Sequence, residues 1–177
     1  MRELTEYAYF MHMKTVYLVR HAKSSWAHDD IPDKDRPLKG RGIRDAHLIS
    51  EYLADAIDFG MSIQLCSSSA TRALHTALIF AQNFKIPASE ILVSDELYHC
   101  DDMELHSRVK STADDVDILF VFAHNPGITD YVNSNSEAGI NNVPTTGVVG
   151  LSFEANRWSE IQGLAKCTLF EYPKRFK

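Results

Sequence analysis

An arginine and a histidine stand side by side, as Arg20 and His21, directly after the apolar run at 15–19. A run of β-branched and aromatic residues is typical of a buried strand, and such a strand does not ordinarily end in a cation beside an imidazole. In open α/β sheets, ligands bind at the carboxyl ends of the strands. The pair therefore offers a fixed positive charge and a nitrogen nucleophile where chemistry is expected, although a strand that simply runs into solvent would look the same.

Two further predicted strands end in the same kind of chemistry. The run at 62–66 is followed by a serine-rich turn and by Arg72, in the first turn of a helix predicted over 70–84. The most apolar run, at 117–122, is typical of a central parallel strand and leads to His124. If these strands are parallel neighbours, two guanidinium groups and two imidazoles meet beside a helix N-terminus. Because arginine binds phosphate oxygens in a bidentate manner, this is a site for a tetrahedral dianion.

Strand-like and helix-like segments alternate along most of the chain. Strands are predicted at 15–20, 62–66, 91–93 and 117–122, and helices at 40–57, 70–84, 102–111 and just after 127. Ser67, Ser68 and Ser69 are candidate N-caps for the second helix. Runs of period two at 148–153 and 164–172 predict a terminal antiparallel hairpin. We therefore expect a three-layer α/β/α sandwich with a mostly parallel central sheet and this hairpin at its C-terminal end.

The composition is that of an ordinary globular protein with an acidic balance. The formal net charge of −6 argues against general nucleic-acid binding and against an anionic membrane surface, so neither partner is expected. Cys66, Cys100 and Cys167 show no paired spacing, which favours reduced thiols and a cytoplasmic location. We expect one domain over 13–177, preceded by an N-terminal extension at 1–12.

The segments that carry these groups resemble the histidine phosphatase superfamily, in its short SixA-type phosphohistidine phosphatase branch. The similar segments are 18–26, 35–38, 41–42, 67–73 with Thr76, 123–127 and 144–146. The resemblance implies a phosphoglycerate mutase-like fold and a phosphatase reaction in which His21 becomes phosphorylated while Arg20, Arg72 and His124 hold the phosphate. It implies as partner a phosphorylated protein, such as a histidine-containing phosphotransfer domain, or a small phosphorylated molecule. No metal and no cofactor is expected, because two guanidinium groups can neutralise the phosphate.

Further residues are assigned to the phosphate or the substrate by their position. Lys23 and Ser24 directly follow His21, although a solvated loop explains them equally well. Asn125 follows His124, and the resemblance places Thr146 in the pocket lining.

Residues outside these motifs receive plainer interpretations. His99 and the other remaining histidines show no ligand spacing and are predicted to be surface or core residues. The acidic run at 29–35 lacks the Gly and terminal Glu of a calcium loop and is predicted to be a solvated loop near the site mouth.

A general acid for the leaving group is not evident from the sequence. Carboxylates follow the third predicted strand, where such an acid is expected, but charged residues there are also typical of a solvated face. These candidates are Glu96, Asp101, Asp102 and Glu104. A weak acid site fits a phosphoramidate substrate, since an imidazole leaves with less help than an alkoxide.

Three alternatives to a phosphohistidine phosphatase stay open. Cys66 and Arg72 have the spacing of a cysteine-dependent phosphatase, but no glycine lies between them to cradle the phosphate, and His21 and His124 would have no role. A non-catalytic module that binds phosphorylated residues would use the same clamp. A small-ester phosphatase or phosphomutase of the same superfamily would use the same nucleophile.

Overall fold

The computed structural model describes residues 12–27 and 30–177, and within them six strands form one sheet. The strands are β1 (Met13–Arg20), β2 (Ile63–Ser68), β3 (Leu92–Ser94), β4 (Ile118–Ala123), β5 (Val148–Glu154) and β6 (Lys166–Glu171). The helices are α1 (Gly40–Ala56), α2 (Thr71–Phe84), α3 (Asp102–Lys110) and α4 (Gly127–Asn135). None of the helices in these ranges is both long and apolar enough to span a bilayer. The predicted extension at 1–12 lies outside the described residues except for His12.

The sheet brings the ends of several strands to one edge. Its order is β3-β2-β4-β1-β5-β6, in which β1 to β4 are parallel, β5 is antiparallel to β1, and β6 is antiparallel to β5. In the register, Arg20 pairs with Ala123, and Ser67 pairs with Phe122. Because β5 runs the opposite way and begins beside Val19, the segment that precedes β5 reaches the same edge. The predicted fold, with its parallel sheet and C-terminal hairpin, is confirmed.

The central strand β4 separates two apolar cores. Leu119 and Val121 face the core beneath α3 and α4, whereas Phe120 and Phe122 face the core beneath α1 and α2. All six residues of β4 are buried. A shift of one residue would exchange the two faces, so the packing specifies the register strongly. The residue that follows β4, His124, is therefore held on a rigid support.

The start of α2 differs from the prediction. The N-cap residue is Ala70 rather than one of the three serines, and no side chain caps the helix. Ser67 and Ser68 belong to β2, which extends further than the sequence predicts. The first turn of α2 thus reaches the sheet edge without a side-chain cap, which leaves its positive end available to an anion.

Two glycines permit close backbone contacts that fix the loops at this edge. Gly42 in α1 packs against the backbone of Lys23, and Gly127 at the start of α4 packs against the carbonyl of Cys100. A Cβ atom at either position would overlap with that backbone, which only glycine avoids. These contacts position the loop after β1 and the loop after β3.

Candidate active site

Side chains from three strand ends meet at the carboxyl edge of the sheet. His21 follows β1, Arg72 lies in the first turn of α2, and His124 follows β4. Arg72 Nε donates to His21 Nε2 over 3.3 Å. The ring centres of His21 and His124 lie 5.2 Å apart. Because Arg72 and His124 are buried, these groups act on one another with little screening by water.

The imidazole of His21 is held in one orientation and kept neutral. Its Nδ1 lies 2.8 Å from the carbonyl oxygen of Ala22, so Nδ1 carries the proton and Nε2 keeps a lone pair. Burial is the main reason that the pKa of His21 is lowered to about 4. The bond to Ala22 opposes this shift, and the charges of Arg72 and Arg20 add to it. At neutral pH, Nε2 is therefore unprotonated and can act as a nucleophile.

His124 presents a second oriented ring. Ser68 Oγ accepts from the Ala70 N–H and lies 2.9 Å from His124 Nε2; because the Ser68 hydroxyl has no other acceptor among the described residues, we assign it as the donor to Nε2. The proton of His124 then resides on Nδ1, which is buried. Burial first, and then the neighbouring His21 and Arg72, lower the pKa of His124 to about 3. His124 is thus a neutral hydrogen-bond donor.

Arg20, the last residue of β1, bonds to the segment at 142–143. Its Nη1 donates to the carbonyl of Val143 over 2.8 Å and to Asn142 Oδ1 over 3.4 Å. Its pKa is lowered by burial. The positive charge of Arg20 nevertheless acts on His21, whose pKa it lowers.

Three buried polar atoms at this edge have no hydrogen-bond partner among the described residues. They are Arg20 Nε, His124 Nδ1 and Thr146 Oγ1. Thr146 lies just before β5, and its N–H donates to the carbonyl of Arg20 over 3.1 Å. Its φ of 62° is in the left-handed region, which a β-branched residue adopts only where the surrounding structure enforces it. Each unpaired buried group costs about 1–3 kcal/mol, so together these atoms mark a position where an anion would be stabilised.

The sequence profile of the histidine phosphatase superfamily (branch 1) matches residues 16–114. The chain belongs to this superfamily. An uncharacterised protein of Mycobacterium tuberculosis is 30% identical over 167 residues, which are 88% of this chain and 100% of that relative. An uncharacterised protein of Mycobacterium leprae is 28% identical over 169 residues, with the same coverage. Membership of the histidine phosphatase superfamily implies phosphatase activity.

Solved structures share the fold. The protein histidine phosphatase SixA, in complex with tungstate, superposes with a TM-score of 0.76 at 18% identity and covers 92% of this chain and 99% of its own. A candidate phosphohistidine phosphatase SixA from Agrobacterium tumefaciens gives 0.75 at 24% identity, with 90% and 98% covered. A mycobacterial glucosyl-3-phosphoglycerate phosphatase gives 0.61 at 11% identity, with 91% and 100% covered. One phosphatase fold thus serves different substrates.

Three other residues were predicted to contact the phosphate or the substrate, namely Lys23, Ser24 and Asn125. Ser24 is buried, and its hydroxyl accepts from Arg36 Nη1 over 3.2 Å. Asn125 Nδ2 donates to the segment 142–143, which also binds Arg20. Lys23 is exposed. The hydrogen bonds of Ser24 and Asn125 therefore position neighbouring groups.

Asp33 lies in the site. The prediction of a solvated acidic loop is therefore wrong at this residue. Asp29, the first residue of the run at 29–35, is outside the described residues. Asp33 Oδ2 accepts from Arg72 Nη2 over 2.9 Å and from Tyr98 Oη over 2.8 Å, and the carbonyl of Asp33 accepts from Arg72 Nη1. Burial raises the pKa of Asp33, but the hydrogen bonds from Tyr98 and Arg72 and the charges of Arg72 and Arg36 outweigh it and hold that pKa below its usual range. Asp33 is therefore an ionised partner of Arg72.

The four carboxylates that were candidate acids are used elsewhere. Asp101 and Glu104 form the capping box of α3. Asp102 accepts from Ser134 Oγ over 3.0 Å, and Glu96 is exposed on the surface. None of the four contacts His21 within the described residues.

His99 is a surface residue, as predicted, with its side chain 57% exposed, and it also lies close to the site, which was not predicted. Its ring centre is 5.5 Å from that of His124, and its Nε2 is 3.3 Å from Asp33 Oδ2. A signal for this placement is present in the sequence. Because β3 is parallel to β2, the residues that follow β3 also reach the carboxyl edge, and the strand-end argument applies to them as well.

Proposed function

We propose that this phosphatase hydrolyses protein phosphohistidine through a covalent phosphohistidine intermediate on His21. The observation that carries the proposal is the state of His21, a neutral and oriented imidazole whose Nε2 faces a buried arginine. Around it lie two buried donor atoms, Arg20 Nε and His124 Nδ1, which have no hydrogen-bond partner among the described residues. These are the groups that a phosphoryl-transfer site requires, namely a nucleophile in line and fixed donors for the oxygens.

In the first step, the lone pair of His21 Nε2 attacks phosphorus as the bond to the leaving nitrogen breaks. Arg72, Arg20 and His124 Nδ1–H hold the non-bridging oxygens, on which the negative charge is spread. The proton on His21 Nδ1 stays in its hydrogen bond to Ala22, whose carbonyl stabilises the positive charge that develops on the ring.

In the second step, water attacks the phosphorylated His21 on the same phosphorus. The bond between phosphorus and Nε2 breaks, inorganic phosphate leaves, and His21 returns to its neutral form with the proton still on Nδ1. Dividing the reaction in this way replaces one difficult displacement by two easier ones.

The choice of phosphohistidine as substrate is supported by the leaving group and by the similar structures. An imidazole needs less protonation than an alkoxide, and none of the four candidate carboxylates is near His21 to supply it. Structures with this fold include a protein histidine phosphatase. The three thiols are free, as in cytoplasmic proteins, where phosphorylated signalling domains occur.

A small phosphate ester is the second candidate, because a cavity lies beside Asn142, which accepts from Arg20, although His21, Arg72 and His124 do not line it. Its volume is about 550 Å³, and Asn142, Thr145, Tyr172 and Lys174 are among its lining residues. Cavities of this size hold small ligands, so the body of a small substrate would fit here.

Trapping of the intermediate tests the proposal. The protein is incubated briefly with ³²P-labelled phosphoramidate or a ³²P-labelled phosphohistidine domain, quenched in acid or base, and mapped by peptide. We expect a base-stable, acid-labile label on His21 in wild type and none in His21→Asn.

The matched control is Cys66→Ser. Cys66 is completely buried, and burial raises the pKa of its thiol, so this variant is expected to keep activity. Label on Cys66 would establish the cysteine mechanism instead. Binding of the phosphorylated domain with neither label nor phosphate release would show a binding module.

A further inference from the structure

The proposed reaction is accelerated by a group that protonates the leaving atom and later takes a proton from the attacking water. His21 cannot do this, because its Nε2 bonds to phosphorus and its Nδ1 is held by Ala22. Of the candidate carboxylates, Asp101 and Glu104 form the cap of α3 and Asp102 accepts from Ser134 Oγ, while Glu96 forms no hydrogen bond with the site among the described residues. The donor must come from another residue at the carboxyl edge, and the following inference rests on the proposed function.

The imidazole of His99 is placed where this donor would act. It stands next to His124, at 5.5 Å between ring centres, and His124 stands 5.2 Å from His21. The side chain of His99 is 57% exposed, so solvent reaches it beside His124. Among the described residues, its Nδ1 has no hydrogen-bond partner, whereas Nε2 faces Asp33 at 3.3 Å.

The backbone around His99 is held in a conformation that costs free energy. Its φ of 57° is in the left-handed region. Residues other than glycine keep such angles where the surrounding structure enforces them, and they cluster at functional sites. The enforcing contacts are visible: the carbonyl of Cys100 packs against Gly127, and the next residue, Asp101, caps α3. The fold therefore holds the backbone of His99 in one conformation beside the site.

The neighbours of His99 are less suited to donate a proton. Asp33 is ionised, because the bonds from Tyr98 and Arg72 hold its pKa below the usual range despite its burial. Tyr98 donates its hydroxyl to Asp33, and burial together with this bond raises the pKa of Tyr98. Histidine is the side chain that most often transfers protons as a general acid or base.

We infer that His99 is the general acid and base of this phosphatase, and that Asp33 positions it. As the bond between phosphorus and the leaving atom breaks, the proton on His99 Nδ1 passes to that atom, and His99 becomes neutral. In the second step, Nδ1 takes a proton from the attacking water while the bond between phosphorus and His21 breaks. Inorganic phosphate leaves and His99 is protonated again, so protons and charges balance over the cycle.

The test compares leaving groups in His99→Asn and His99→Gly, since both residues tolerate a positive φ. Phenyl phosphate needs a proton on its leaving oxygen, whereas 2,4-dinitrophenyl phosphate does not. We expect kcat/KM for phenyl phosphate to fall by about 100-fold and kcat/KM for the dinitrophenyl ester to change by less than about 3-fold, because kcat/KM reports transfer to His21 and not hydrolysis of the intermediate, and general acid catalysis contributes roughly 10²–10⁴. The retained dinitrophenyl activity shows that each variant is folded.

The matched control is His12→Asn, the same substitution at an exposed histidine before β1, which should change neither rate. Equal losses for both esters, or no loss for either, would overturn the inference and leave His99 a structural residue. A leaving-group-dependent loss in Glu96→Gln or Glu104→Gln, with none in His99→Asn, would also overturn it. If wild type forms no phosphohistidine on His21 from the dinitrophenyl ester, the proposed function fails, and the inference fails with it.

Discussion

Each end of β1 carries a cation, and the two cations differ in how completely hydrogen bonds and opposite charges compensate them. Lys14, near the start of the strand, is 3% exposed, and its ammonium donates to the carbonyls of Asp114 and Val116, both at 2.8 Å. It also pairs with the Asp117 carboxylate at 3.5 Å. Arg20, at the end of the same strand, leaves its buried Nε without a partner among the described residues.

This difference separates a charge that is compensated within the fold from one that is compensated only in part. Burying a charge is tolerated when hydrogen bonds and an opposite charge compensate it, as they do for Lys14. Arg20 is only partly compensated, and it shares the carboxyl edge with two other incompletely paired side chains, His124 and Thr146. A fold keeps such a cluster where a ligand supplies the compensation.

A lack of partners is not sufficient by itself to identify a site. Three more buried atoms are unpaired among the described residues: His106 Nδ1, Thr112 Oγ1 and Tyr131 Oη. They belong to α3, the turn after it, and α4, where no nucleophile faces a buried guanidinium. The three unpaired atoms at the strand ends differ because they lie at the same edge of the sheet as His21 and Arg72. They are Arg20 Nε, His124 Nδ1 and Thr146 Oγ1.

The strongest test of the comparison is Arg20→Met, which should cost activity but not stability. The acceptors of Arg20, Val143 O and Asn142 Oδ1, keep hydrogen bonds from Asn125, so no buried group is left unpaired. We expect kcat/KM for 4-nitrophenyl phosphate to fall by roughly 100-fold or more, as on loss of one charge-stabilising donor. The free energy of unfolding in urea should change by less than about 0.5 kcal/mol. A large loss of stability would show that Arg20 is a structural cation like Lys14.

The same substitution at the other end of the strand, Lys14→Met, should have the reverse effect. The carbonyl of Asp114 and Oδ1 of Asp117 lose their donor, while Asp117 Oδ2 keeps the bond from the Ser62 N–H and Val116 O keeps the bond from Trp158 Nε1. We expect the free energy of unfolding to fall by about 1–3 kcal/mol, because hydrogen bonds from a charged group are lost. At a temperature where the variant is folded, kcat/KM should equal that of wild type. A selective loss of kcat/KM would remove the distinction between the two ends.

The sequence predicts the fold and the strand-end groups because both depend on local patterns. The unbroken apolar run of β4 indicates burial on both faces, and this places His124 at the end of a central strand. Alternation in the last third predicts the hairpin of β5 and β6. His21, Arg72 and His124 are found because each directly follows a strand or begins a helix.

The rest of the site depends on contacts between loops, which local patterns do not encode. Asp33 belongs to a run of acidic residues that looks solvated, and only the folded chain shows that it binds Arg72 and Tyr98. The left-handed φ of His99 is set by the packing of Cys100 on Gly127 and is not visible in the residue type. The serines before α2 fail as N-caps because β2 continues through Ser68, so that its hydroxyl binds His124 instead.

Of the three predicted effects, the pH dependence of stability should be the smallest. It should arise from His21, which directly follows the Arg20 end of β1. The pKa of His21 is lowered in the folded state to about 4, mainly by burial, and is about 6.5 in an unfolded chain. Between these values the unfolded state binds the additional proton, so stability present above about pH 6.5 is lost as the pH falls towards 4. We expect urea unfolding at pH 7 and pH 4.5 to show wild type losing on the order of 2 kcal/mol more than His21→Gln, because a tenfold change in proton affinity between the folded and unfolded states corresponds to about 1.4 kcal/mol. The matched variant His12→Gln, at an exposed residue near the Lys14 end, should follow wild type. If His21→Gln follows wild type as well, His21 is not held neutral by burial, and the cation-rich edge lacks the nucleophile proposed for it.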